Sequence, residues 1–373
     1  MKRLVWIVVF LLALGSLVQA ERRGLWVVRD ALTDKEQIDR AINLARDLGI
    51  DFLLLQVNGR GEAYYESALF PKAKLTADFD PLAYAIAQSR RAGLEVHAWV
   101  NLLTMGSFVY RPQDPRHVLN QHPEWFMVDA QGNNILTYER GNTYLPAPML
   151  EPALPEVQAF LRAMVRELVE NYDVDGIHLD YVRYPTRDFG YSGQNRSAFA
   201  KEWGVDPLDL AGRPDYWQGR LGPEGCERIL AAWDGFRRDK VTELVRQISL
   251  EIRGLKPDLK LSAAVYGDLK DSREERLQDW GKWLADGLLD FAVPMLYSTS
   301  NLLVDSQVQQ ILKSTAGTLY IGLGAYALVD EPEKLVDQIQ KVRARGASGV
   351  VLFSFNAIVD HPRLLALLQQ VLG

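Results

Sequence analysis

Apolar positions along the chain follow two alternating rhythms. Short runs rich in β-branched and aromatic residues occupy positions 24–28, 52–57, 95–100, 176–182, 260–266, 291–297, 319–325 and 349–355. Most are nearly continuous in hydrophobicity, the pattern of parallel strands covered by helices. Between them apolar residues recur every three or four positions. Val157, Phe160, Leu161, Met164, Val165 and Leu168 share one helical face, as do Val241, Leu244, Val245, Ile248 and Ile252. Thr33-Asp34-Lys35-Glu36 predicts a capping box before the first helix, and Asp80-Pro81 opens the second. Gly49, Gly93, Gly254, Gly287 and Gly346 stand where helices are expected to end.

Strands that alternate with helices imply a parallel sheet wound by right-handed crossovers. Eight such units predict an α/β fold, a closed (β/α)8 TIM barrel. An open doubly wound sheet would carry a Gly-rich phosphate loop after its first strand, and Val28-Arg29-Asp30-Ala31 is not one. The rhythm breaks at 101–150 and 183–230, giving long insertions after strands 3 and 4. Both leave carboxyl ends of strands, the barrel face on which active sites are built. They are expected to wall a substrate cleft on a single barrel spanning 21–373.

Ahead of the first strand, Lys2 and Arg3 precede an apolar run over 4–14 and then Val18-Gln19-Ala20. This reads as a secretory signal peptide, residues 1–20, cleaved before Glu21. Its apolar core is shorter than the ~20 residues that cross a bilayer. The mature protein is therefore expected to have no membrane span and to be periplasmic or extracellular. No cysteine stands at the cleavage site to carry a lipid. The one cysteine of the chain, Cys226, rules out an intramolecular disulfide and a cysteine-based metal site.

The 373 residues are 48% hydrophobic and 24% charged, an ordinary globular balance, with a net charge of −6. That charge argues against a nucleic-acid or anionic-membrane partner, which would need clustered Lys and Arg, and fits a neutral polar one better. The polar residues at strand ends sharpen the picture. The fourth strand reads Gly176-Ile177-His178-Leu179-Asp180-Tyr181-Val182-Arg183-Tyr184-Pro185. Alternation places His178 and Asp180 on the inner side and Ile177, Leu179 and Tyr181 toward the helices. Asp180 then sits in the barrel mouth with Arg183 and Tyr184 just above it, where a carboxylate can act as nucleophile, base or stabiliser of an oxocarbenium-like transition state. His178 lies deeper, placed to orient Asp180 or to bridge to a neighbouring strand.

Sugars are held by flat aromatic faces and by amide or Arg hydrogen bonds to hydroxyls. Trp26, Trp99, Tyr184 and Tyr297 are candidate platforms, and Gln56, Asn58, Asn101 and Asn356 candidate hydroxyl readers; Arg60, Arg183 and Tyr266 stand at the same face. The insert aromatics Trp125, Phe126, Tyr138, Tyr144, Tyr191, Tyr216 and Trp217 are expected mainly to pack the inserts. No His-x-His pair marks the first strand and no Gly-x-Ser-x-Gly elbow occurs. Gly322-Leu323-Gly324 is only a weak phosphate-loop signal, and no motif or ligand spacing calls for a cofactor or a metal ion.

These residues resemble the glycosyl hydrolase-like 10 family of exported bacterial barrels. The similarity runs from Arg23-Gly24-Leu25-Trp26 to the last strand. It is most specific at Leu150-Glu151-Pro152 with Pro155-Glu156-Val157, at 172–185, and at Arg60-Gly61-Glu62-Ala63 leading to Tyr65-Glu66-Ser67. The resemblance implies a glycoside hydrolase acting on bacterial surface or cell-wall glycans, with Asp180 matching the family's fourth-strand acid. The chain departs from the pattern in two places. Tyr181 stands where many members carry a second acid, and Ser298-Thr299 follow Tyr297 where many have an acidic residue. A glycosidase normally needs two carboxyl groups, ~5 Å apart for retention or ~6.5–9.5 Å for inversion. Glu62 and Asp268, both just past strand ends, are the candidate partners of Asp180. Glu62 has a structural alternative in pairing with Arg60, and Asp268 in capping a turn. Three activities remain open: hydrolysis of a glycan strand, glycan binding by a barrel that has lost its second carboxyl group, and an envelope scaffold that uses the inserts.

Overall fold

In the computed structural model, which describes residues 21–74 and 78–373, each short apolar run is a strand. The strands are β1 (Arg22–Val27), β2 (Phe52–Gly59), β3 (Glu95–Asn101), β4 (Gly176–Asp180), β5 (Lys260–Tyr266), β6 (Phe291–Leu296), β7 (Thr318–Gly324) and β8 (Gly349–Phe353). The candidate signal peptide lies outside the described residues. Consecutive strands pair in parallel, and β8 pairs with β1, which also pairs with β2, so the ring closes. The chain is thus a (β/α)8 TIM barrel. A two-residue strand, Glu62–Ala63, folds back antiparallel on the end of β2.

Alternation along each strand divides the core in two. Trp26, Phe52, Leu54, Trp99, Ala264, Phe291, Val293, Tyr320 and Val351 fill the barrel interior. Their sequence neighbours, such as Leu25, Val27, Leu53, Val100, Ile177 and Leu179, pack outward against helices. Each large side chain so buried contributes about 1.5–3 kcal/mol relative to exposure. Interior packing also explains a glycine. A Cβ on Gly322 would lie 2.8 Å from the Trp26 ring and 3.1 Å from the Pro294 carbonyl oxygen. Gly322 therefore makes room for an indole, and a Cβ on Gly324 would press on Tyr326 at 3.1 Å and Tyr297 at 3.2 Å, so packing accounts for both glycines of Gly322-Leu323-Gly324.

The main covering helices are α1 (Lys35–Asp47), α2 (Pro81–Arg91), α3 (Pro155–Asn171), α4 (Pro214–Leu255, broken at Gly222), α5 (Trp280–Ala285), α6 (Asn301–Ser314), α7 (Pro332–Ala344) and α8 (Pro362–Leu372). The cap of α1 falls one residue later than a Thr33 capping box predicts. The Asp34 carboxylate accepts from the Gln37 amide at 2.9 Å, while the Thr33 hydroxyl donates back to the Asp30 carbonyl. Asp80 caps α2 as expected, accepting from the Ala83 amide at 3.0 Å. Gly254 does not end its helix, because α4 runs on to Leu255. Among the described residues no helix is long and apolar enough to cross a membrane.

Residues 102–154 separate β3 from α3, and 181–213 separate β4 from α4. Two short helices in the second segment (Gly193–Trp203 and Pro207–Gly212) and the first half of α4 enclose a small core of Phe199, Val205, Leu210, Trp217, Ile229 and Trp233. The two segments are stitched together. The Ala130 amide donates to the Asp188 carbonyl at 2.8 Å, and the Gly190 and Tyr191 amides to that of Val128 at 3.0 Å. Across the mouth the connections are brief: residues 297–300 join β6 to α6, and 325–331 join β7 to α7.

Candidate active site

The inward-facing positions at the carboxyl ends of the strands surround a cavity of about 310 Å3. Trp26 and Trp99 rise from the barrel core into it, and Asp180 reaches it from the last position of β4. A larger hollow of about 520 Å3 opens at the opposite end, beside Glu95 and Lys260 where β3 and β5 begin. In barrels that end serves stability and the carboxyl end serves chemistry.

Asp180 is almost fully buried yet ends at the cavity wall. Its Oδ2 accepts from the Trp99 indole Nε1 at 3.1 Å, and its Oδ1 from the Tyr181 amide at 2.7 Å. Burial dominates its acidity and pushes its pKa up to about 6, against the opposing pull of the Arg183 charge, the Tyr181 amide and the Trp99 indole. A carboxyl group poised there can hold or release a proton near neutrality, the requirement for general acid–base work. Among the described residues it is the only carboxyl group lining the cavity.

One layer below, His178 is fully buried and does not reach the cavity. The Trp26 indole can only donate, so His178 Nε2 accepts its hydrogen at 3.2 Å. The ring proton then belongs on Nδ1, facing the Ser262 hydroxyl on β5 at 2.9 Å. Burial holds the imidazole well below its ordinary pKa, so it is neutral. Of the two roles open to His178, the geometry matches the bridge to a neighbouring strand. It fixes the tilt of Trp26, which also meets Tyr297 and Phe353 edge-on.

Above Asp180 the strand pattern stops. Tyr181 takes a left-handed backbone conformation, φ 52°. Its ring therefore swings to the cavity wall and not toward the helices, correcting the alternation extrapolated through it. Arg183 lies between two tyrosine rings, 4.9 Å from the centroids of both Tyr181 and Tyr266. Such desolvated cation–π contacts are worth about 2 kcal/mol. Tyr184 is not a sugar platform. It is completely buried, and its hydroxyl donates to Glu151, a carboxyl group that burial keeps protonated more readily than usual.

The neutral readers form a relay. Arg29 donates to Gln56 Oε1 through its amide and its Nη1, both at 3.2 Å, and Gln56 Nε2 donates to Asn101 Oδ1 at 3.1 Å. The structure thus brings Trp26, Gln56, Arg60, Trp99, Asn101, Asp180, Arg183 and Tyr297 to one cavity. Asn58 is buried off the wall, its amide unpartnered. Tyr266 stands off the wall and meets the site through Arg183, and Asn356 is exposed, accepting from the Val28 amide at 3.4 Å. Glu62 sits in the back-folded strand, off the wall, and among the described residues no ion pair joins it to Arg60. Asp268 is exposed and caps the short helix Leu269–Glu274, accepting from the Lys270 and Asp271 amides at 2.9 and 2.8 Å. Its capping alternative therefore describes it.

Sequence reasoning passed over several wall residues: Arg29, Thr104, Pro146, Ala147 and Phe353. Arg29 follows β1 directly and was legible by position. The others come from irregular segments or bear no polar group that draws notice. Tyr326, half-exposed in the turn after β7, packs edge-on against Tyr297 and Phe353 and extends the aromatic surface to the rim.

Comparison with known proteins gives the site its context. The family described as glycosyl hydrolase-like 10 matches residues 21–339. Glycosyl hydrolase YngK of Bacillus subtilis (strain 168) is 24% identical over 379 residues, covering 90% of this chain and 67% of that protein. Glycosyl hydrolase DigH of Escherichia coli (strain K12) is 25% identical over 345 residues, covering 82% of this chain and 69% of that protein. The PgaB (BpsB) glycoside hydrolase domain from Bordetella bronchiseptica shares the fold, with a TM-score of 0.71 at 17% identity over 95% of this chain and 99% of that one.

Proposed function

Because the chain belongs to the glycosyl hydrolase-like 10 family, we propose that it is an exported glycoside hydrolase that cleaves a bacterial cell-wall or surface polysaccharide, with Asp180 as its acid. The observation that carries this reading is Asp180 itself, a desolvated carboxyl group with its pKa near 6 at the wall of the catalytic-face cavity. Burial raises the pKa of a general acid so that it still holds its proton near neutral pH, the device by which glycosidases protonate a leaving oxygen. Trp26, Trp99 and Tyr297 supply apolar surface against sugar faces, and Gln56, Asn101 and Arg60 supply hydrogen bonds to hydroxyls. Export rests on the signal-like segment 1–20.

A second reading is favoured by one specific observation: among the described residues no second carboxyl group lines the cavity. A barrel so equipped can bind a glycan without cutting it. One experiment separates the two. Purified peptidoglycan and its peptide-stripped strands are digested with wild type and Asp180→Asn and the products read by mass spectrometry. Fragments from wild type alone support the hydrolase and identify the bond cut. Pull-down of strands with no fragments from either protein replaces it with the binding barrel.

A further inference from the structure

The charge of the cavity is opposite to that of the chain. Over 373 residues the net charge is −6. Yet the cavity wall carries three guanidinium groups, Arg29, Arg60 and Arg183, against the single carboxyl group of Asp180. Overall charge favours a neutral partner; the local charge does not. A concave, partly desolvated wall of one sign concentrates ligands of the other.

The partners of these arginines narrow the inference. Arg183 is 4% exposed, and its Nη1 is buried without a hydrogen-bond partner. Among the described residues no carboxylate lies within ion-pair distance of it. If its purpose were only to neutralise Asp180, the two would be hydrogen-bonded. Instead Asp180 takes its hydrogen bonds from Trp99 and Tyr181, and the guanidinium lies between two tyrosine rings. Contacts of that kind keep the planar group stripped of water, which strengthens its bond to any charged acceptor it meets. Arg60 stands exposed at the lip, its side chain in no ion pair or hydrogen bond among the described residues, while Arg29 donates to the neutral Gln56 and has the exposed Asp30 carboxylate 4.0 Å away. Burying an unpaired cation costs several kcal/mol unless a ligand completes it.

We propose that the cavity takes a sugar residue bearing a carboxylate, held by Arg183 with Arg29 and Arg60 at its lip. Planar guanidinium and planar carboxylate match as a two-point hydrogen-bonded pair. The proposal deepens the glycan reading and rests on it, naming an acidic sugar as the unit bound beside Asp180.

The test uses peptide-stripped peptidoglycan strands, whose sugars carry free carboxyl groups, alongside the same strands amidated by carbodiimide coupling. Dissociation constants are read from the fluorescence of the cavity tryptophans in Asp180→Asn protein, so binding is measured whether or not the wild type cuts. Amidation is expected to weaken binding roughly tenfold or more, the size of a hydrogen bond to a charged group. Arg183→Gln in the same background is expected to bind both forms equally and weakly. Arg60→Gln, at an exposed position that cannot disturb the core, is expected to lose part of the preference, and added salt to narrow it. Equal binding of native and amidated strands overturns the proposal, as does binding of neither. So does an amidation penalty that survives undiminished in both arginine variants. Failure of the hydrolase reading shows separately, as wild type that releases no fragments.

Discussion

The indole Nε1 of Trp99 donates to Oδ2 of Asp180 at 3.1 Å, linking the inward side chains of two neighbouring strands. This bond favours the ionised carboxylate and restrains the rise in pKa that burial causes. If Asp180 is the acid, kcat/KM falls as pH rises through about 6. Trp99→Phe keeps a ring in place and removes the donor. The descending limb is expected to move upward by about one pH unit, the worth of one charged hydrogen bond. A pH–rate profile on both proteins checks it. An ascending limb near pH 6 would instead assign Asp180 as base or nucleophile.

The same shift has a stability signature. Asp180 titrates at about 6 in the folded chain, against ~3.9 in an unfolded one. Ionisation therefore opposes folding: the contribution is full below pH ~4 and is lost as pH rises through about 6. Asp180→Asn removes the titration. Its unfolding free energy relative to wild type is expected to improve by about 3 kcal/mol at most between pH 3.5 and 7.5. Urea denaturation at the two pH values measures this. A difference that does not vary with pH would refute the buried carboxyl's role.

Gly322→Ala places a methyl group 2.8 Å from the Trp26 ring, which His178, Tyr297 and Phe353 hold in place. Overpacking of this kind costs about 1–3 kcal/mol. The variant is expected to lose both stability and turnover, although Gly322 carries no functional group. Parallel denaturation and activity assays test it; wild-type stability would show that the ring can shift freely.

Asp268→Ala separates capping from catalysis. Loss of its two backbone hydrogen bonds is expected to cost about 1 kcal/mol of stability. Turnover of the glycan is expected to remain at the wild-type level. A collapse of kcat without loss of stability would return Asp268 to the catalytic set.

The barrel was legible because period-two and period-3.6 patterns are written directly in apolar residues, and each strand could be read alone. Asp180 was legible for the same reason, since alternation from Ile177 and Leu179 fixes its side. The reading failed where a backbone angle changed. Tyr181 leaves the strand pattern at φ 52° and faces the cavity, and Tyr184 turns inward to meet Glu151. Neither rotation has a period to announce it. Thr104, Pro146 and Ala147 reach the wall from an irregular segment folded back through the Met105 amide to the Pro148 carbonyl and the Leu150 amide to that of Leu103. Positions set by long-range pairing of this sort are invisible to local spacing. Arg183 was placed correctly, but its lack of a partner is a property of the folded neighbourhood alone.

The stitched segments 102–154 and 181–213 rise on one side of the mouth, while only short turns follow β6 and β7 on the other. The mouth is thus a bench with a back and no front. On the glycan reading proposed above, a chain would enter from that low side and rest against the stitched segments.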